Sequence, residues 1–311
     1  MSSPKVSVLV PTYNAGPFLA VCLESILAQD LTDYEVLISD DGSTDGSQAI
    51  IESYAAKDPR IRWWRNPQNL GLTRNHNYCL REARGEFIKF VHQDDKLLHP
   101  SVLSRMVKLL EEDATVSLVG LGSNVIDAQS CVLEVRNHFK ESGTYDGMDI
   151  IVKCLEENQN LIGEPTAVMF RKSQAARGFD ERYRQIVDME CWFHLLEQGR
   201  FAYVAEPLFA FRVHPQQATQ KHKVENVAEE EQLLLFKDYL HKPWLKFHAT
   251  RLMRFRQIYF IRKNYGARGR ELVVDAMLEL KPFWYGVYWT TRKVCNPFIK
   301  LKRRIARYLS R

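Results

Sequence analysis

The stretch Phe90–Pro100, FVHQDDKLLHP, sets the reading of this chain. A strand-like run, Glu86–Val91, leads almost at once into two adjacent aspartates, Asp94 and Asp95. Neighbouring carboxylates repel unless something positive lies near them. Either a partner compensates the pair, or it is an ordinary polar turn. Two earlier apolar runs end the same way: KVSVLVP (Lys5–Pro11) runs into TYNAG, and YEVLISDD (Tyr34–Asp41) runs into GSTDGS. Between the runs lie FLAVCLESILAQ, SQAIIESYAAKD and LTRNHNYCLREARG, whose apolar residues recur at helical spacing. This alternation predicts an α/β fold with a mostly parallel sheet and helices on both faces. Ligands in such sheets gather at the carboxyl ends of the strands. Pro11–Asn14, Asp40–Ser43 and Gln93–Asp95 are therefore expected to meet on one rim.

Downstream, a helix is expected over Ser101–Glu112, with strands near Val116–Leu121 and Cys131–His138. A second helix covers Tyr145–Asn158. A strand follows the Gly163-Glu164-Pro165 turn over Thr166–Lys172, and a helix covers Asp188–Gly199. Phe201–His214 reads as two short strands broken by Pro207. From Lys221 the pattern becomes almost all helix. The expected division is therefore an α/β domain over 1–220 and a helical region over 221–311.

Of 311 residues, 45% are hydrophobic, as in an ordinary globular protein, but the charge is uneven. Lys281–Arg311 holds nine Lys/Arg and no acid, while the rest carries 34 Lys/Arg against 38 Asp/Glu. On a helix from Phe298, residues Phe298, Leu301, Ile305, Tyr308 and Leu309 share a face, and Lys300, Arg303, Arg304, Arg307 and Arg311 lie largely opposite. With Phe283, Trp284, Tyr285, Tyr288 and Trp289 upstream, the segment fits an anionic membrane surface. Basic residues also neutralise nucleic-acid phosphates, but the aromatics favour lipid. Packing on its own domain, or self-association into a homo-oligomer, are the alternatives for that face. Six cysteines without a CxxC pair indicate free thiols in a reducing compartment. No secretory leader and no spanning run of about 18 apolar residues is evident, so a cytoplasmic protein bound peripherally to the inner face of the cell membrane is expected.

The rim residues suggest a nucleotide. Tyr13 offers a flat face, and amides at the start of the next helix favour anions. The glycine fingerprint of dinucleotide-binding folds is absent, which argues against a dehydrogenase. Asp40 and Asp41 are suited to accept from a base edge or a ribose hydroxyl, whereas Asp45 is explained by helix capping. A Mg²⁺ or Mn²⁺ ion bound with a diphosphate would resolve the repulsion at Asp94 and Asp95.

Together, VSVLVPTYNAG, YEVLISDDGSTDGS and NLGLTRNHNYCLREARGEFIKFVHQDD resemble the nucleotide-sugar domain of glycosyltransferase family 2, which has a GT-A fold. The resemblance is strong as far as Asp95 and looser to His214. It implies that Pro11, Thr12 and Tyr13 line the base, that Asp41 accepts from it, and that Arg74 lies near the base or diphosphate. The family's aspartate-x-aspartate slot reads Gln93-Asp94-Asp95 here, so the first acid is missing. Asp95 is then expected to bind the metal directly, and Asp94 to face ribose or metal. Asp188 aligns with the family's catalytic base, although Val187 replaces the acid that usually precedes it. Glu190 is placed among the substrate-binding residues, Glu164 at the acceptor, and His214 near the diphosphate or metal. The plain alternatives are an N-cap for Asp188, a polar turn for Glu164 and a surface position for Arg74 and His214.

The implied activity is inverting transfer of a sugar from a nucleotide-diphosphate sugar to a glycan or lipid-linked acceptor, with nucleic acid not expected as a partner. The missing acids keep a catalytically silent sugar-nucleotide-binding scaffold as an alternative. A sugar nucleotidyltransferase is another, but its basic, glycine-rich triphosphate loop is absent.

Overall fold

A computed structural model of the chain describes residues 3–215, 217, 227–240 and 242–245. The elements run β1 (Val6–Thr12), α1 (Phe18–Leu27), β2 (Tyr34–Asp40), α2 (Ser47–Ala55), β3 (Ile61–Arg65), α3 (Leu72–Glu82), β4 (Phe87–Phe90), β5 (Lys96–Leu97) and α4 (Val102–Glu112). They continue with β6 (Val116–Ile126), β7 (Val132–Arg136), β8 (Gly143–Tyr145), α5 (Gly147–Glu157), β9 (Val168–Arg171), α6 (Val187–Leu196), β10 (Arg200–Arg212) and α7 (Val227–Leu240). The chain divides into two compact units, Met1–Gln232 and Leu233–Arg311. The expectations for the basic tail fall outside the described residues. Among the described residues, no helix is long and apolar enough to cross a membrane.

One sheet of order β3-β2-β1-β4-β9-β6-β10-β5 organises the first unit, with β7 paired to β6 and β8 to β10. The half β3-β2-β1-β4 is parallel throughout. Strands β1 and β2 are buried along their whole length, which is why they read as nearly continuous apolar runs. Helix α1 covers the sheet with Leu19, Cys22, Leu23 and Ile26, the spacing of one helical stripe.

Beyond β4 the sheet is mixed. Strand β9 runs antiparallel to both β4 and β6, and β10 runs parallel to β6. The consequence is geometric. The C-terminal ends of β1, β2, β4 and β10 share an edge of the sheet with the start of β9, so Thr12, Asp40, Thr166 and Arg212 all arrive at one rim. Strand β10 is continuous where two strands were expected. Its pairing with β6 shifts register on either side of Pro207, which has no N–H to give to the ladder.

Gly85, between α3 and β4, lies directly against β1. A Cβ there would sit 2.4 Å from the Ser7 amide nitrogen and 2.7 Å from the Val6 carbonyl carbon, both backbone atoms that cannot swing away. Gly85→Ala is therefore expected to cost about 1–3 kcal/mol, read as a lower denaturant midpoint at unchanged slope.

Candidate active site

The β1 and β4 rims are clipped together by one side chain. Gln93 accepts from the Tyr13 amide at 2.6 Å and donates to the Tyr13 carbonyl at 3.0 Å. The side chain standing in the family's first acid position thus fixes the backbone of Tyr13, whose ring is 45% exposed. Pro11 and Thr12 are buried beneath it. The next three amides are already engaged: Asn14 donates to Ser43, Ala15 to Ser47 and Gly16 to Asp45. These amides therefore tie β1 to the loop after β2 and are not left for an anion. Asp45 also accepts from the Ser47 amide at 2.9 Å; it lies one residue before Gly46, which holds the N-cap position of α2.

Asp41 differs from its expectation. Its carboxylate accepts from Asn66 and the Leu70 amide at 2.8 Å and from the Gly71 amide at 3.0 Å. Both oxygens are used to hold the loop that enters α3, so Asp41 shapes the base end of the rim from beneath. Asp40 accepts from the Ser43 amide with one oxygen, while its other oxygen is buried with no hydrogen-bond partner, 3.8 Å from Arg65 Nε. Arg74 is exposed on α3 and pairs with Glu181 at 2.8 Å.

The two central aspartates are not equivalent. Asp95 is buried. Its Oδ2 accepts from the Thr166 hydroxyl at 2.5 Å, and its Oδ1 accepts from the Arg212 amide at 3.0 Å. Burial, and then the charge of Asp94, push its acid well above the usual carboxylate range. Asp94 behaves oppositely. Burial acts to raise it, but the hydrogen bond to His214 and the nearby His92 outweigh that and hold it below the usual range. Asp94 Oδ2 lies 3.1 Å from His214 Nε2, with the two side chains 17% and 13% exposed. The expectation that Asp95 is the direct metal ligand thus meets a physical obstacle, because its oxygens are committed to Thr166 and Arg212. Asp94 and His214 face each other at the rim, each partly exposed. The Asp94 carboxylate is the oxygen ligand that Mn²⁺ or Mg²⁺ prefers, whereas an imidazole nitrogen is a softer donor. Among the described residues, no cluster of three or more His, Cys, Asp or Glu stands ready to hold an ion.

A further group of candidate residues lies at the start of α6. Asp188 is the second residue of that helix, not its N-cap, which is Ile186. Asn160 donates to Asp188 Oδ2 at 3.1 Å and to the Gly163 carbonyl at 3.1 Å, and Trp192 Nε1 donates to the same carbonyl at 3.0 Å. Burial pushes Asp188 up to about 7. The Met189 amide opposes this, while Glu164 and Glu231 add to it. The charge of Glu164 also acts on Asp95, and Glu164 is ion-paired with Arg136. Glu190 departs from its expected substrate role. It is buried and accepts two bonds from Arg177, at 2.8 and 2.9 Å.

Several site residues escaped sequence reasoning. Thr166, Arg212 and Asn160 sit in segments that read as strand or turn. Arg212 donates to the backbone oxygens of Asp94 and Asp127, and its guanidinium lies 4.6 Å from the Phe18 ring. The available signal was an arginine inside an otherwise apolar strand.

A parallel-to-mixed sheet whose polar strand ends share one rim, with a buried acid at the start of α6, fits the GT-A fold of nucleotide-sugar glycosyltransferases. The chain belongs to glycosyl transferase family 2, whose family model matches residues 7–163. It is similar to the uncharacterized protein MT1568 of Mycobacterium tuberculosis, with 36% identity over 67% of this chain and 66% of that protein. The putative glycosyltransferase EpsE of Bacillus subtilis is 32% identical over 68% of this chain and 74% of its own length. A Campylobacter jejuni enzyme named GalNAc(5)-diNAcBac-PP-undecaprenol beta-1,3-glucosyltransferase is 38% identical over 36% of this chain and 37% of its own length. Among solved structures, S. aureus TarS 1–349 in complex with UDP-GlcNAc superposes with a TM-score of 0.67 at 18% identity, covering 88% of this chain and 79% of that one. The mannosyltransferase PcManGT from Pyrobaculum calidifontis, in complex with GDP-Man and Mn²⁺, gives 0.57 at 20% identity, covering 96% and 88%.

Thr166→Val, which removes the hydroxyl facing buried Asp95, is expected to destabilise the fold by about 1–3 kcal/mol in denaturant unfolding. Thr166→Ser, which keeps the hydroxyl, should recover most of that loss.

Proposed function

We propose that the protein transfers a sugar, with inversion, from a nucleotide-diphosphate sugar to a hydroxyl of a lipid-linked glycan or surface-polysaccharide precursor. The observation that carries this reading is Asp188 at the start of α6. One of its oxygens is held by Asn160, and burial raises its acid to about 7, with the charge of Glu164 adding to this. Tyr13 would stack on the base, above Pro11, Thr12 and the loop that Asp41 holds. Arg74 would reach the base or diphosphate on exchanging its bond to Glu181. Asp94, with His214 beside it, would hold Mn²⁺ or Mg²⁺ together with the donor phosphates, and the chemistry an ion supplies there is neutralisation of the charge on the leaving diphosphate.

Asp188 Oδ1 takes the proton of the acceptor hydroxyl. The acceptor oxygen, relieved of that proton, bonds to the anomeric carbon from the face opposite the leaving group. The bond from the anomeric carbon to the diphosphate oxygen breaks, and its electron pair stays on the phosphate. Glu164 orients the acceptor, with Arg136 holding its carboxylate. A positioned base of this kind contributes about 10²–10⁴-fold. Its weakened acidity suits the task, because a carboxylate whose acid titrates near 7 is both available and strong enough to take the proton.

The test is nucleoside diphosphate release from UDP-glucose, UDP-N-acetylglucosamine and GDP-mannose, with and without Mn²⁺. Asp188→Asn should lower turnover about 10²–10⁴-fold while nucleotide binding persists. In the wild type, kcat should climb as pH passes upward through about 7 and level off above it, because only the unprotonated acid accepts a proton. Binding of all three donors with no release under any condition would instead identify a silent sugar-nucleotide-binding protein.

The basic, aromatic segment Lys281–Arg311 supports peripheral attachment to an anionic membrane, where a lipid-linked acceptor would be found. Deleting residues 298–311 is expected to reduce sedimentation with phosphatidylglycerol vesicles and leave binding to phosphatidylcholine vesicles unchanged. Equal sedimentation of the full and shortened chains would count against a membrane role for that segment.

A further inference from the structure

The chain entering α6 is held by a residue from a distant part of the sequence. Glu231 of α7 lies in the same compact unit and is buried. Its Oε1 accepts from the Arg184 amide at 2.7 Å, and its Oε2 accepts from the Gln185 and Ile186 amides at 2.8 and 3.0 Å. Three successive amides turned toward one point form an anion-binding nest, and bonds from amides to a carboxylate are of the strong, charge-assisted kind. No local residue does this work, because Ile186 is the N-cap of α6 and its side chain cannot accept a hydrogen bond. Asp188 follows two residues later. Rotation of the backbone at Ile186 would swing Asp188 away from Asn160, and Glu231 is what resists that rotation from the N-terminal side.

We propose that Glu231 is a positioning residue for the transfer reaction, its carboxylate fixing the chain that enters α6 and thereby holding Asp188 in place against the acceptor. The proposal rests on Asp188 being the base. The groups facing Asp188 are Asn160 from the loop after α5, Glu164 from the turn before β9, and Glu231 from α7. On its own helix, Glu190 is engaged with Arg177. Glu164 and Glu231 both favour the protonated acid, so Glu231 affects Asp188 through its charge as well as through the backbone it holds.

The test uses the full chain, with water as acceptor and whichever of UDP-glucose, UDP-N-acetylglucosamine or GDP-mannose is hydrolysed fastest. Glu231→Gln, which loses the charge and offers an N–H where an acceptor is needed, should lower kcat about 10–100-fold with donor KM unchanged. It should also move the midpoint of the kcat–pH profile to lower pH. Glu231→Asp keeps the charge and should keep the wild-type midpoint with a smaller loss of kcat. Wild-type kcat in Glu231→Gln, or a loss of kcat with an unmoved midpoint, overturns the proposal. Amide hydrogen exchange provides a second readout that needs no turnover. Arg184, Gln185 and Ile186 should exchange slowly in the wild type and rapidly in Glu231→Gln, and rapid exchange in the wild type would by itself sink the idea. Loss of turnover in Asp188→Asn beside a normal Glu231→Gln defeats this inference alone, whereas full turnover in Asp188→Asn defeats the reading beneath it.

Discussion

A carboxylic acid buried at the end of a central strand cannot be left without hydrogen-bond donors, and Asp95 obtains its donors from two other strands. Thr166 comes from the turn that starts β9, and Arg212 from the last residue of β10. Satisfying Asp95 therefore fixes where β9 begins and where β10 ends relative to β4. The same three places carry Glu164, His214 and Asp94. The active rim is held in register by a group that substrate need not touch.

The repulsion implied by two adjacent aspartates is resolved by dividing their roles. Asp94 carries the charge and faces His214, while Asp95 resists ionisation under burial and the charge of its neighbour. Lys89 lies beneath the pair and donates to the Thr166 carbonyl. Burial pushes it down to about 7, with Asp95 pulling the other way. Satisfied buried networks of this kind make a site rigid, because every alternative geometry leaves some group unpaired. Asp41 plays a similar part in the loop that enters α3, and Asn160 beside the start of α6. In each case a polar side chain is used to fix backbone.

The same division explains which candidate site residues the sequence marks and which it does not. Asp188, His214, Tyr13 and Asp94 stand at strand or helix ends that the apolar periodicity marks, and they remain near the rim or at the start of α6. Asp41 and Glu190 were also found as rim and helix-start acids, but the structure gives them protein partners. Gln93 looked like a lost ligand and is instead a two-point clip on Tyr13. Glu231 was one acid in a run of three at 229–231, and no local pattern separates it from a solvated helix face.

What the sequence alone determined is the local and periodic part: the alternating strands and helices of the first half, and the meeting of three polar strand ends. Those follow from burial, which writes apolar runs into parallel strands and 3.6-residue stripes into their covering helices. Only the tertiary structure decided that β9 enters against its neighbours, that β10 passes Pro207 as one strand, and that Asp94 rather than Asp95 faces outward. The reason is that each of these depends on partners 71 to 120 positions away along the chain, such as Thr166 for Asp95 and His214 for Asp94, and a hydrogen bond over that separation leaves no periodic trace in either segment.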